Sequence, residues 1–141
     1  MENTIDLHIH TAASDGSDSP AQLLKNLKKA GISTFSVTDH DTIDGALEME
    51  KIVTPDFRFI RGIEFSCETP AGKCHILGYH FDPSDTVFRA ALSEGAELRQ
   101  EKLRDRLAFL ENTLNIRFTE AERDWIFHLK SPGKPHFGKI L

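Results

Sequence analysis

Segments with strand-type and helix-type patterns alternate over the first half of the chain, and this alternation limits its fold more than any other feature. The predicted elements are a strand, a helix, a strand, a helix and a strand, over residues 5–10, 19–31, 35–40, 43–53 and 57–66. The first strand alternates apolar and polar side chains, and Ser19-Pro20 and Gly31 are typical of a helix start and end. This order favours an α/β fold with a parallel core.

The second half of the chain is predicted to be helical. Residues 69–72, Thr-Pro-Ala-Gly, indicate a hairpin turn into a fourth strand over residues 73–81. A charge-rich segment with leucines at helical spacing follows. Thr119 then opens a capping-box pattern for a further helix, in which we expect Trp125 to lie in the core.

The change in pattern falls near Pro83. We therefore predict an α/β part over residues 1–83 and a helical part over residues 84–141. The apolar pair Ile140-Leu141 has no helix stop signal after it, so we expect the chain to be cut within an element.

Composition and charge exclude several classes of protein. The composition, 39% hydrophobic and 28% charged residues, is typical of a globular protein and not of a disordered or membrane protein. No stretch approaches the length of a membrane span. The formal charge of −5 provides no overall basic field for a polyanion, so a nucleic-acid ligand would have to be held locally. The start, Met1-Glu2-Asn3-Thr4, lacks the features of a signal peptide. Together with the presence of only two cysteines, this predicts a cytoplasmic setting.

Histidines and carboxylates are expected to meet at the carboxyl ends of the strands, where α/β folds place ligands. His8 and His10 point the same way because the period of a strand is two, and His40 ends the second strand. Neighbouring imidazoles suit Zn²⁺, Mn²⁺ or Fe²⁺, and Asp15 in the following loop could add an oxygen ligand. The alternatives are a polar strand face for the histidines and an Asx-turn for Asp15.

Two further aspartates, Asp39 and Asp41, flank His40. They either serve the loop and cap the next helix, or they orient the imidazole of His40 through its second ring nitrogen.

The hairpin predicts a contact between residues that are distant in sequence. A four-residue loop sets Glu68 opposite Lys73, Cys67 opposite Cys74 and Ser66 opposite His75. Glu64 lies two residues before Ser66 and therefore on the same face, so Glu64 and His75 converge. A carboxylate in this position can bridge two cations. On the other face, Cys67 and Cys74 are expected to be packed thiols rather than a disulfide.

Five blocks of this sequence resemble the PHP (polymerase and histidinol phosphatase) family in order and spacing. They are Asp6-Leu7-His8-Ile9-His10-Thr11, Ser14-Asp15-Gly16, Val37-Thr38-Asp39-His40-Asp41-Thr42, Gly62-Ile63-Glu64-Phe65-Ser66 and His75-Ile76-Leu77-Gly78-Tyr79. Gly133-Lys134-Pro135-His136 is similar to a Gly-Arg-Pro-His stretch that follows a helical insertion in the branch acting on small nucleotides and the 5′ ends of short RNA.

The resemblance implies the N-terminal part of a distorted (β/α)7 barrel, followed by a helical insertion, in an apparently truncated chain. It implies two or three divalent ions (Mn, Fe or Zn), held first by His8, His10 and Glu64, second by Asp15 and His40, and third by Glu64 and His75. The family's remaining ligands, a histidine and a closing Asp-x-His, would lie after residue 141. We therefore expect residues 1–141 alone to bind metal weakly and to be nearly inactive, and the unpaired barrel edge to favour dimers.

The predicted function is hydrolysis of a phosphoester in a nucleotide-type substrate, either a nucleoside 3′,5′-bisphosphate or the 5′ end of a short RNA. The ions would lower the pKa of a bridging water and neutralise the phosphoryl oxygens. One alternative is an inactive or regulatory metal-binding remnant, because three ligands are missing. A second is hydrolysis of C–N bonds by a related barrel that also begins with His-x-His.

Substrate contacts are predicted at Lys134, as a point charge for phosphate, and at His136; the alternative for both is an ordinary helix start. Arg99, with the basic residues after it, is interleaved with acidic residues. This pattern favours a solvated helix with ion pairs over an anion-binding groove.

Overall fold

The computed structural model describes residues 4–141, and within this range it contains four strands and five helices. In chain order these are β1 (Thr4–Ile9), α1 (Pro20–Ala30), β2 (Ile32–Val37), α2 (Asp44–Ile52), β3 (Arg58–Thr69), β4 (Gly72–Tyr79), α3 (Thr86–Thr113), α4 (Glu120–Phe127) and α5 (Lys134–Ile140). Residues 1–3, on which the expectation of no export signal partly depends, lie outside the described residues.

The four strands form one sheet in the order β1-β2-β3-β4. β1 and β2 are parallel, as are β2 and β3, with α1 and α2 as the crossovers, whereas β3 and β4 form an antiparallel hairpin. The sheet is curled. Although β1 and β4 form its opposite edges, the Tyr79 hydroxyl at the end of β4 donates to the Leu7 carbonyl of β1 (2.9 Å). The α/β prediction is confirmed in this half-barrel form, and the (β/α)7 barrel stays a prediction.

Helix α1 begins and ends where the sequence predicts. The Ser19 hydroxyl accepts from the Gln22 amide (3.3 Å), Pro20 is the first helical residue, and Gly31 ends the helix at φ +72°. The helix packs on β2 and α2 to form the first core, whose buried members are Leu23, Leu27, Phe35, Val37, Ala46 and Met49.

The first two strands are buried to different extents. β2 is buried on both faces from Thr34 onward, because it lies between two parallel strands and its side chains are covered above and below. In β1 the predicted apolar face is only partly covered: Ile9 packs on the first core, but Ile5 is 58% exposed.

A second core occupies the helical half of the chain. It consists of Leu103, Leu107, Phe118, Ile126 and Phe137. The predicted capping box is present, since the Glu122 amide donates to the Thr119 hydroxyl (3.2 Å) and the Thr119 amide donates to the Glu122 carboxylate (2.7 Å). Within residues 4–141, none of the helices combines the length and the apolar character that a membrane crossing requires.

The prediction that Trp125 lies in the core is wrong. Its side chain is 42% exposed, and the adjacent Ile126, at 0%, fills the space between α3 and α5. Helical spacing identifies an apolar stripe, but neighbouring residues lie only 100° apart, so either can face inward.

The different burial of Trp125 and Ile126 leads to a prediction about stability. Ile126→Ala is expected to lower the free energy of unfolding by about 2–5 kcal/mol, because it leaves a cavity in a closed core. Trp125→Ala is expected to lower it by less than half as much, although a larger side chain is removed. Urea unfolding followed by far-ultraviolet circular dichroism measures both, since the chain has a single tryptophan and fluorescence would be lost in one variant. A larger loss for Trp125→Ala would contradict the packing described.

Candidate metal centre

Glu64, on β3, lies at the centre of a cluster of imidazoles. Its carboxylate is 2.9 Å from Nε2 of His8, 2.9 Å from Nε2 of His10 and 2.6 Å from Nδ1 of His75. Nδ1 of His40 lies 3.6 Å away. The Glu64 residue is only 4% exposed. One buried carboxylate therefore meets four histidines that come from three other parts of the sheet.

The strands bring these residues to one place. His8 is near the end of β1 and His10 immediately follows it. After β2 the chain continues beside β3, where His40 bridges to Glu64: the Glu64 amide donates to the Asp39 carbonyl (3.1 Å) and the Asp41 amide donates to the Glu64 carbonyl (3.0 Å). His8, His10 and His40 lie at the carboxyl ends of the parallel strands β1 and β2, where ligands bind in α/β folds, and Glu64 lies on β3 just beyond its parallel pairing with β2.

Asp15 joins the cluster from the loop after β1. Its carboxylate is 3.0 Å from Nδ1 of His10 and 3.6 Å from Nε2 of His40. The six residues predicted as metal ligands are therefore all in one cluster. Their role as ligands stays a prediction.

The hairpin has the predicted register. Ser66 opposes His75, Cys67 opposes Cys74 and Glu68 opposes Lys73, and this is the reason that Glu64 and His75 converge. Thr69 and Gly72 are also paired, so the turn consists of two residues rather than four, with no change of register. Both cysteines are free thiols.

The donor set fits divalent cations. Three groups of residues each offer ligand atoms within 4.8 Å of one another: His8, His10 and Glu64; His10, Asp15 and His40; and His40, Glu64 and His75. Ligand atoms on an ion with bonds of about 2.1 Å are about 3 to 3.5 Å apart, close to the separations observed. Nδ1 of His40 is buried and has no hydrogen-bond partner, which leaves a polar group in the cluster that no group of the described residues satisfies.

The protonation of two cluster residues supports this fit. Burial lowers the pKa of His40 below its ordinary value, although the charges of Glu64 and Asp15 oppose the shift. Burial raises the pKa of Glu64, but hydrogen bonds and charges from the surrounding histidines outweigh it, and the net shift is downward. A neutral imidazole beside an ionised carboxylate is the combination that metal binding requires.

Neither aspartate beside His40 touches its ring, so the interpretation that they orient this imidazole is wrong. The Asp39 carboxylate accepts from the amide and hydroxyl of Thr11 (2.7 and 2.6 Å) and from the Ser14 hydroxyl (2.6 Å). The Asp41 carboxylate accepts from the Ser66 amide (2.7 Å) and from Nε of Arg99 (2.5 Å). Both side chains instead hold neighbouring segments around the cluster.

A cleft of about 340 Å³ opens beside the cluster, with Asp15, His40 and His75 on its wall. Five basic side chains also line it: Lys73, Arg99, Lys102, Arg106 and Lys134. Burial, and then the charge of Arg99, lower the pKa of Arg106, because both disfavour its cationic form. Cations are therefore concentrated next to the cluster although the whole chain is acidic.

Arg99 is the main residue that the sequence interpretation missed. Its side chain is largely buried rather than solvated: it pairs with the Asp41 carboxylate and donates to the Ser66 hydroxyl (2.9 Å) and to the Pro132 carbonyl (3.2 Å). No local signal in the sequence indicates this role. Gly95 lies within α3 one turn before Arg99, and a Cβ there would make only an ordinary contact with Cβ of Asp41 (3.7 Å).

The helical half also contacts the His40 turn through Ser131, whose hydroxyl donates to the His40 carbonyl (2.6 Å). Lys134 lies on the cleft wall. His136 is 3% exposed, and its Nδ1 accepts from the Gly133 amide (3.0 Å), so it stabilises the start of α5. Burial, followed by the charge of Lys139, lowers the pKa of His136. The substrate contacts at Lys134 and His136 stay predictions.

An α/β sheet that gathers histidines and carboxylates at the carboxyl ends of its strands is typical of metal-dependent hydrolases. The chain belongs to the PHP domain family, whose model matches residues 6–118. This match confirms the resemblance found in the sequence.

Two relatives and one solved structure illustrate the relationship. A 5′-3′ exoribonuclease of Haemophilus influenzae is 33% identical over 103 residues, which cover 72% of this chain and 38% of the relative. A 3′,5′-nucleoside bisphosphate phosphatase of Chromobacterium violaceum is 27% identical over 138 residues, which cover 97% of this chain and 48% of the relative. A structure from the same organism, described as an amidohydrolase with bound sulfate and no metal, superposes with a TM-score of 0.84 at 27% identity, over 96% of this chain and 48% of that one. The chain thus spans about half the length, or less, of the proteins it matches.

Proposed function

We propose that this chain carries part of the active site of a divalent-metal-dependent phosphoesterase. Its substrate would be a nucleotide-type phosphoester, either a nucleoside 3′,5′-bisphosphate or the 5′ end of a short RNA. The observation that carries the proposal is the position of the Glu64 cluster on the wall of a cleft lined by cations. The names of the exoribonuclease and phosphatase relatives support the same substrate class.

Two or three ions (Mn, Fe or Zn) would be held by the cluster. A neutral imidazole has one free lone pair, so each histidine can serve one ion. His8, His10 and Glu64 then hold the first, Asp15 and His40 the second, and Glu64 with His75 the third. When bound, such ions lower the pKa of a water ligand and offset charge on phosphoryl oxygens.

The basic side chains of the cleft would bind the phosphate groups. Arg99 already donates to three partners, so the cations more available to a ligand are Lys73, Lys102, Arg106 and Lys134. An anion in the cleft would offset the repulsion between Arg106 and Arg99. The buried His136 would act from behind, by holding the segment that presents Lys134.

Hydrolysis of a C–N bond is the second candidate, because one structural relative is described as an amidohydrolase. The cleft argues against it for this chain. Five basic side chains beside the cluster match a substrate with several negative charges, whereas an amide or amine group has none for them to neutralise.

Phosphate release with Mn²⁺ tests the proposal. Residues 1–141 are assayed beside a chimaera in which the second half of the Chromobacterium violaceum phosphatase follows residue 141, which supplies the rest of the family's barrel. We expect the chimaera to release phosphate from adenosine 3′,5′-bisphosphate or from a 5′-phosphorylated short RNA, and residues 1–141 alone to be much slower. The same chimaera with Glu64→Gln is the metal-site control. A chimaera that binds Mn²⁺ but acts on no phosphoester would favour the regulatory alternative, and cleavage of amides alone would favour C–N hydrolysis.

A further inference from the structure

Asp39 is a buried carboxylate that belongs to none of the three groups of metal-type donors. It is 1% exposed, and the amide and hydroxyl of Thr11 and the hydroxyl of Ser14 all donate to it at 2.6 to 2.7 Å. Three short hydrogen bonds converge on one carboxylate and make this a strong anchor.

The loop that carries Asp15 is built around Thr11. The amides of Ser14 and Gly16 both donate to the Thr11 carbonyl (3.1 and 3.0 Å), and the Ala13 amide donates to the Thr11 hydroxyl (3.1 Å). The loop therefore folds back on Thr11, and Thr11 is held by Asp39. Without such an anchor, the small and flexible residues on each side of Asp15 would leave its position open.

The contact between the Asp39 carboxylate and Thr11 is tightly packed. Helix α2 packs directly on it: a Cβ on Gly45 would lie 2.1 Å from the Asp39 carboxylate and 2.4 Å from the Thr11 hydroxyl. On the loop side, a Cβ on Gly16 would lie 2.4 Å from the His10 carbonyl. Glycine is required at both places: α2 packs directly on the carboxylate, and the Asp15 loop packs directly on the main chain of His10 and Thr11.

The main chain of Asp39 is tied to the other part of the cluster. Its carbonyl accepts from the Glu64 amide (3.1 Å), while its carboxylate holds the loop of Asp15. One residue thus links the strand that carries Glu64 to the loop that carries Asp15, and it does so next to His40.

We propose that Asp39 is a positioning residue, which holds Asp15 at the distance from His40 that an ion shared by these two residues requires. The inference rests on the proposed metal-dependent function. It predicts a selective effect. Loss of the anchor lowers the affinity for the ion between Asp15 and His40, and the affinity for the ion held by His8, His10 and Glu64 stays the same.

Amide hydrogen exchange in the metal-free protein tests the anchor itself. Asp39→Asn removes the charge and one acceptor oxygen, so the amides of Thr11, Ser14 and Gly16 are expected to exchange roughly tenfold faster or more. Asp41→Asn is the matched control, because it changes the same residue type on the same turn. Asp41→Asn is expected to speed up hydrogen exchange at the Ser66 amide and to leave the exchange rates in the Asp15 loop unchanged. Equal exchange in the loop of wild type and Asp39→Asn would overturn the inference.

Titration with Mn²⁺ alone tests the consequence. In Asp39→Asn, one class of Mn²⁺ site is expected to weaken by roughly 10- to 100-fold and the other to stay unchanged. Thr11→Val, which removes one hydroxyl at nearly constant volume, should weaken the same class, and Thr11→Ser should restore it. This pair carries the test if Asp39→Asn does not fold.

The outcomes distinguish the proposed metal dependence from the proposed positioning role of Asp39. Wild type that takes up no Mn²⁺ would overturn the proposed metal-dependent function and this inference with it. Wild type and Asp39→Asn that take up Mn²⁺ with equal affinities would overturn the inference alone, as would equal binding by Thr11→Val and Thr11→Ser below the wild-type level.

Discussion

Glu64→Gln is expected to remove most of the bound metal. The carboxylate supplies oxygens to two of the three donor groups, and among the described residues it is the only anion paired with the imidazole rings of His8 and His75. A neutral amide is a much poorer ligand, so the loss of affinity should exceed the roughly 10- to 100-fold that residues outside the ligand set typically contribute. Elemental analysis after loading with Mn²⁺ and removal of free metal measures the change.

Glu68→Gln is the control for this experiment. Glu68 lies on the same strand and the same face, but it is exposed and forms an ion pair with Lys102 (3.6 Å) at the surface. We expect it to keep the wild-type ratio of metal to protein. An unchanged ratio in Glu64→Gln would mean that the cluster is a network of polar contacts and not a metal centre.

Arg99→Leu is expected to lower the free energy of unfolding by about 3–5 kcal/mol, because it leaves the buried Asp41 carboxylate without its cation. The same change releases the Ser66 hydroxyl and the Pro132 carbonyl, so the contact between the two halves of the chain is loosened. Arg99→Lys should recover only part of the loss, since one ammonium group cannot reach three partners in different directions. Chemical denaturation of the metal-free protein measures these differences.

Arg104→Leu provides the matched control, because Arg104 lies on the same helix but is exposed. It is expected to change stability by no more than about 0.5 kcal/mol. Combining Arg99→Leu with Asp41→Asn should recover part of the lost stability, since the unpaired charge is removed. Equal effects of Arg99→Leu and Arg104→Leu would show that the ion pair with Asp41 contributes nothing in solution.

Local rules predict much of the cluster from the sequence. The period of a strand sets His8 and His10 on one side, and a short turn sets the register that brings His75 to Glu64. Asp15 is different: its neighbours are compatible with an Asx-turn and with an oxygen ligand, and the family resemblance favoured the ligand. The contacts that hold it, between Asp39 and Thr11, join residues 28 apart, which no local pattern reveals.

The helical half was predicted less well for a physical reason. A charge-rich helix is compatible with a solvated face and also with a face that packs on a carboxylate, and the partner of Arg99 is 58 residues away. The predicted core position of Trp125 was wrong for a similar reason, since the face of a helix that is buried depends on the elements it packs against. The boundary near Pro83 stays a prediction, although the two cores lie on either side of it.

The different sequence separations within the cluster have a consequence for the order in which it assembles during folding. Glu64 and His75 are 11 residues apart and meet as soon as the hairpin forms, on a timescale of about 1–10 μs. Glu64 and His8 are 56 residues apart, and closing this larger loop costs about 1.4 kcal/mol more in chain entropy. The hairpin half of the centre therefore forms early, and the β1 half forms only when the parallel strands dock. An ion captured by the hairpin would favour that docking, so metal would act as a template for the slow, long-range step of folding.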